Sequence, residues 1–228
     1  MRTPLVVGMD PGAEKGYALI DPEDMRTRRS WDAPRVVAMA TSLSGLVDAL
    51  PPRFLMYRPI WAAVEFQYAA RVATGEISAD SIIKLAFRAG YMLKECADLL
   101  EASEHFATVP HRWKIELYGE GGTKRKDVFT ARLIRELHPD ELRVLQKIEE
   151  TDDKNVDDVL DAVGIAWATW RVSKFPRRWR EWRCDPDTII PYSPPAGTRK
   201  KRFQAANKFN GTSFRPKEET AYDKLRNQ

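Results

Sequence analysis

The sequence predicts an α/β protein: a mixed five-stranded sheet flanked by helices, followed by a basic, extended tail. Three observations predict it. Short β-branched apolar runs alternate with amphipathic segments over residues 4–172. Two of those runs end in an acidic residue, Asp10 and Glu65. Regular patterning then dissolves after Pro176.

The elements follow in order. Leu5 to Met9 is an apolar run ending in Asp10-Pro11-Gly12, which reads as a buried strand and a tight turn. Gly16 to Ile20 is a second strand, closed by Asp21-Pro22 and antiparallel to the first. A third covers Arg35 to Ala40. Leu43 to Leu50 is helical in pattern and stops at Pro51-Pro52. Trp61 to Phe66 reads as an interior strand. Ser78 opens a long amphipathic helix to Ala102, with apolar residues at Ile82, Leu85, Ala89 and Leu93. His105 to Val109 is the fifth strand, and Pro110 enters a short helix containing Trp113. After a Gly119 to Gly122 loop, Lys124 to Leu137 forms a helix ending at His138-Pro139. The last helix runs from Asn155 to Val172.

The 228 residues are 43% hydrophobic, enough for one domain with a sizeable core. We expect that domain over residues 1–173 and the tail over 174–228. The net charge of +4 is unevenly placed: residues 174–228 carry fourteen Lys/Arg against six Asp/Glu, so the remaining body is faintly acidic. Such a tail suits an anionic partner, either nucleic acid or a membrane surface. Arg177, Arg178, Trp179, Arg180, Trp182 and Arg183 interleave cations with indoles, as base stacking plus charge neutralisation would require; packing of both tryptophans on the body is the alternative. Arg199 to Arg202 is a plainer basic run. Two cysteines without ligand spacing, and an N-terminal apolar run too short for a signal or a span, predict a soluble cytoplasmic protein. His105, His111 and His138 lack zinc spacing. Gly8, Gly12 and Gly16 do not make a dinucleotide fingerprint.

The chemistry lies in four carboxylates. An ionised Asp at the end of a buried strand is costly without a partner, although Asp10 alone also fits a turn with Pro11 and Gly12. Glu65 follows Trp61-Ala62-Ala63-Val64 in the same way. Asp158 and Asp161, three apart on a helix, share a face, with Val156, Val159, Leu160, Val163 and Trp167 as the packing side. Asp157, four residues from Asp161, is an alternative to Asp158. Hard cations such as Mg²⁺ take carboxylate oxygens, and two ions about 3.5–4 Å apart can flank a phosphodiester. Lys124, Arg125, Lys126 and Arg132 at the start of a helix suit phosphate contacts.

The combination resembles the RuvC Holliday-junction resolvases of the ribonuclease H-like superfamily. Val7-Gly8-Met9-Asp10-Pro11-Gly12 with Gly16-Tyr17-Ala18-Leu19-Ile20 resembles their opening. Glu65-Phe66-Gln67-Tyr68 is similar to the second acidic motif, Ala79 to Leu85 with Arg88-Ala89-Gly90 to the helix that follows, and Asp158-Val159-Leu160-Asp161-Ala162-Val163 to the closing motif.

The resemblance implies a ribonuclease H-like sheet. It implies a two-metal site (Mg²⁺, with Mn²⁺ as substitute) at Asp10, Glu65, Asp158 and Asp161, no small-molecule cofactor, and a homodimer that cuts four-way DNA junctions. It also implies that Tyr68 stacks on bases and that Lys114 and Lys126 approach the scissile phosphate, Lys126 as a catalytic group. Phe66 before Gln67, the extra residues Ala69 to Ser78 and the tail are departures, as in a divergent, viral-type member. The alternative is a nuclease of the same fold acting on flaps, forks or RNA–DNA hybrids. A sugar-kinase or actin-type ATPase would need a second glycine-rich phosphate loop, for which only Tyr118 to Gly122 is available. A DNA-binding protein without catalysis would have no use for the acidic quartet.

Overall fold

The computed structural model describes residues 3–12, 14–50, 58–66, 78–108, 110–119, 126–152 and 156–175. Strands β1 (Leu5–Asp10), β2 (Gly16–Thr27), β3 (Asp32–Ala40), β4 (Ile60–Glu65) and β5 (Glu104–Thr108) form one mixed sheet in the order β3-β2-β1-β4-β5. β1 is antiparallel to β2, and β2 to β3; β1, β4 and β5 run parallel. The expected α/β class and five strands are therefore present.

The helices are α1 (Leu43–Asp48), α2 (Ala79–Leu100), α3 (Pro110–Tyr118), α4 (Lys126–Glu136), α5 (Pro139–Asp152) and α6 (Asp157–Ser173). Two cores result. On one sheet face, α1 and α2 cover Leu5, Val7, Met9, Leu19 and Val64. On the other, α6 lies across β1 and β2 with α3 and α4 outside it, over Val6, Ala18, Ile20, Ala63 and Phe106.

Local chemistry sets the start of α2. Ser78 Oγ accepts from the Ser81 N–H at 3.1 Å and caps α2, whose inner stripe is Ile82, Ala89, Met92, Cys96 and Leu100. Burial pushes the Cys96 thiol up to about 12, and it donates to Met9 Sδ at 3.3 Å.

Three expectations need correction or completion. Asp21-Pro22 does not close β2. Asp21 Oδ1 accepts from the Glu23 N–H at 2.9 Å and from Arg58 at 2.6 Å, which holds a bulge, and pairing with β3 resumes at Met25. The helix before His138-Pro139 does end there, but the sequence pattern assigns nothing to the residues that follow: Pro139 opens α5, and Glu141 Oε2 reaches back to accept from the His138 N–H at 2.8 Å. Finally, α6 has no solvent face through its middle, since every residue from Val159 to Trp170 is buried.

Glycines allow that central helix to seat. A Cβ on Gly8 would overlap the Ala162 carbonyl, and one on Gly16 the Asp158 carbonyl, so β1 and β2 meet the α6 backbone directly. The spacing of these glycines serves helix–sheet contact. Among the described residues, no helix is long and apolar enough to cross a membrane.

Candidate active site

The carboxyl ends of the parallel strands β1 and β4 lie side by side. Met9 pairs with Val64, so the next residues, Asp10 and Glu65, are neighbours at the sheet's end. Asp161, on the α6 helix that crosses above β1, joins them. All three are buried, at 6%, 6% and 5% exposure. Asp158, one helical turn earlier, is half-buried.

Each carboxylate has a defined support. Asp10 Oδ1 accepts from the Gly12 N–H at 3.0 Å, closing the turn after β1. Asp158 Oδ2 accepts from the Glu14 N–H at 3.1 Å, and a Cβ on Gly12 would collide with the Asp158 carboxylate. Glu65 Oε2 accepts from the indole N–H of Trp113 at 2.7 Å. Asp161 Oδ2 lies 3.8 Å from Lys114 Nζ. On the far side of the turn, the Arg88 guanidinium of α2 donates to the Pro11 carbonyl at 3.2 Å and to that of Gly12.

The electrostatics reflect this crowding. The Asp10 carboxyl is held well above the usual carboxylate range, first by burial, then by the charges of Glu65, Asp161 and Asp158; the Gly12 hydrogen bond pulls weakly the other way. Asp158, rather than Asp157, is the helix-start carboxylate that acts on Asp10. A cluster of four acids, three of them buried, with one facing ammonium carries an excess of negative charge. Carboxylate oxygens in excess are the donor set that a hard divalent cation takes. Among the described residues, however, no three His, Cys, Asp or Glu side chains are drawn together closely enough to hold an ion as they stand. The donor chemistry fits Mg²⁺ or Mn²⁺, and the side chains would have to close around it.

Of the other residues singled out, Lys114 is largely buried between Asp161 and the rings of Trp113 and Phe129, 4.7 and 5.4 Å away. Arg132 sits 5.4 Å over the Tyr118 ring, on the α4 flank. Lys126 opens α4. Its side chain, together with Tyr68, Lys124, Arg125 and the tail residues from Pro176 on, lies outside the described residues. Sequence reasoning passed over Trp113, Glu14 and Arg88 as supports of the site. The signals available were the adjacency of Trp113 to Lys114 and the place of Arg88 in the Arg88-Ala89-Gly90 motif.

No family model matches the chain, and no curated protein matches it. Among solved structures, the chain is similar to Thermus thermophilus RuvC, with a TM-score of 0.45, 20% identity, and coverage of 75% of this chain and 96% of that one. It is also similar to T. thermophilus RuvC in complex with Holliday junction substrate, with a TM-score of 0.41, 16% identity and the same coverage.

Proposed function

We propose that this chain is a divalent-metal-dependent, structure-selective endodeoxyribonuclease with a ribonuclease H-like fold, resolving four-way DNA junctions by paired symmetric nicks. The observation that carries the reading is the approach of Asp10, Glu65, Asp158 and Asp161, from two strand ends and one helix, whose charges together with burial raise the Asp10 carboxyl. Together with the motif order in the sequence, it supports phosphodiester hydrolysis over nucleotide binding.

The four carboxylates would hold one or two Mg²⁺ or Mn²⁺ ions. When bound, such ions supply Lewis-acid polarisation of the phosphodiester and activation of water. The chain's own residues orient the cluster. Trp113 sets the Glu65 carboxylate, the Glu14 N–H sets Asp158, and Arg88 fixes the Pro11-Gly12 turn. Lys114, facing Asp161, offers a cation toward a phosphate oxygen and offsets part of the negative charge that would repel DNA. Lys126, Lys124, Arg125 and Tyr68 would extend the DNA contacts.

Opposed nicks call for two sites related by a two-fold axis, hence a homodimer. The outer face of α2 is its interface in this reading: Ile83, Phe87 and Tyr91 are 54%, 77% and 56% exposed, an apolar stripe that the sheet leaves uncovered.

The test is to mix the purified protein with a labelled four-way junction, a flap and a nicked duplex, with and without Mg²⁺. Paired, Mg²⁺-dependent cuts at the junction are expected, abolished by Glu65→Gln and Asp161→Asn with junction binding kept. Cutting of the flap alone would replace the resolvase reading with a single-cut nuclease. Undiminished cutting by the Asp161→Asn variant would overturn the site.

A further inference from the structure

A groove of about 360 Å³ lies on the α4 flank, lined by Arg29, Ser30, Tyr118, Arg132, Arg135 and Glu136. Arg29 and Ser30 come from the turn between β2 and β3, Tyr118 from the end of α3, and the rest from α4. Its one carboxylate is already engaged: Glu136 is 4% exposed and accepts from the Ser30 N–H at 3.2 Å and the Ser30 hydroxyl at 2.5 Å. Among the described residues, no carboxylate forms an ion pair with Arg29, Arg132 or Arg135, and Arg29 and Arg135 are exposed. Three arginines thus line one hollow against a single carboxylate, itself held by Ser30. The Tyr118 hydroxyl at its wall is buried without a hydrogen-bond partner, an arrangement that a folded chain normally avoids.

Guanidinium forks match the oxygens of a phosphate. The groove is also joined to the acidic cluster by packed side chains. The Tyr118 ring lies 5.7 Å from that of Phe129, Lys114 Nζ lies 5.4 Å from the same Phe129 ring, and Lys114 faces Asp161. The groove and the cluster are therefore linked through neighbouring side chains of α3, α4 and α6.

We propose that this groove is a second phosphodiester site, in which Arg29, Arg132 and Arg135 hold a backbone phosphate of the nucleic acid that the acidic cluster acts on. The identity of the ligand as nucleic acid rests on the nuclease reading. The β2–β3 turn thereby becomes part of the DNA-binding surface, in addition to the helix start at Lys126.

The experiment measures binding of a labelled duplex and a labelled four-way junction in EDTA across a KCl series, for the wild type and for an Arg29→Gln/Arg135→Gln double variant. Both residues are exposed, so the double variant is expected to fold as the wild type does. The variant is expected to bind both DNAs about tenfold more weakly near physiological salt. Its plot of log K against log salt should be shallower by about 0.9 for each phosphate no longer neutralised. Unchanged affinity and slope would overturn the proposal. So would a groove that takes only the free anion, seen as inorganic phosphate raising the Tm of the wild type but not of the variant while DNA binding stays equal. The two readings fail separately. A wild type that never cuts DNA with Mg²⁺, yet shows the weaker binding and shallower slope in the variant, sinks the nuclease and keeps the groove.

Discussion

The indole of Trp113 donates to Glu65 Oε2 at 2.7 Å while its six-membered ring rests on the bare backbone of Gly164, where a Cβ would overlap it. A strand-end carboxylate is thus aimed by a tryptophan whose own position is set by a glycine in the central helix. Trp113→Phe removes the donor and leaves the ring's bulk largely in place, and Gly164→Ala displaces the ring. Each should cost about 1–3 kcal/mol in urea melts, by loss of a buried hydrogen bond or by overpacking. Misplacing Glu65 should lower the rate of junction cleavage by about 10²-fold with little change in Kd.

Asp10 yields a pH prediction. Its carboxyl is raised in the folded protein, so its contribution to stability is fully present below the ordinary carboxylate range and is lost as pH rises through the raised value. Asparagine cannot ionise. Metal-free Asp10→Asn should therefore melt above the wild type at neutral pH, by about 2–4 °C for each kcal/mol relieved. The advantage should vanish below about pH 4. Thermal melts in EDTA across pH check this, and Mg²⁺ should raise the Tm of the wild type more than that of the variant. An Asp10→Asn protein less stable than the wild type at pH 7 would contradict the crowding of Asp10 by Glu65, Asp161 and Asp158.

Gly8 and Gly90 make a matched pair. Gly8→Ala pushes a methyl into the Ala162 carbonyl and against Ala166, both on α6, and should destabilise by about 1–3 kcal/mol or more. Gly90 lies within α2 with nothing within 4 Å of the position a Cβ would take. Gly90→Ala should stabilise by about 0.5–1 kcal/mol. Denaturant midpoints of the two variants should move in opposite directions.

A buried ion pair ties the β2–β3 turn to α5. Arg28 meets Glu141 at 2.7 and 2.9 Å, with both side chains essentially unexposed, and also donates to the carbonyls of Glu136 and Pro34. Glu141→Gln strands a buried guanidinium and should cost about 3–5 kcal/mol. The paired change Arg28→Met/Glu141→Leu should cost less than the single one, because no charge is left behind. Urea unfolding of the three proteins decides it.

The apolar outer face of α2 gives the last prediction. Sedimentation at micromolar concentration should find the wild type dimeric and Phe87→Asp monomeric, since a charge placed in an apolar interface has no partner there. A monomeric wild type, alone and on a junction, would leave single cuts as the better account.

What the sequence determined by itself is what neighbouring residues encode. The β-branched runs, the caps at Ser78 and Pro110, and the acids at the ends of two strands were legible because strand and helix periods act over a few residues. So was the sharing of one helix face by Asp158 and Asp161. Short-range cues also misled. Pro22 read as a stop, yet it sits in a bulge held by Arg58; Pro139 did mark the end of α4, but nothing local announced that it also opens α5. The tertiary structure alone decided that α6 is buried on all sides, that Trp113 aims Glu65 from 48 positions away, and that Arg28 finds Glu141 across 113. Such pairings depend on which faces the sheet and helices leave open once packed, and no local spacing carries that information.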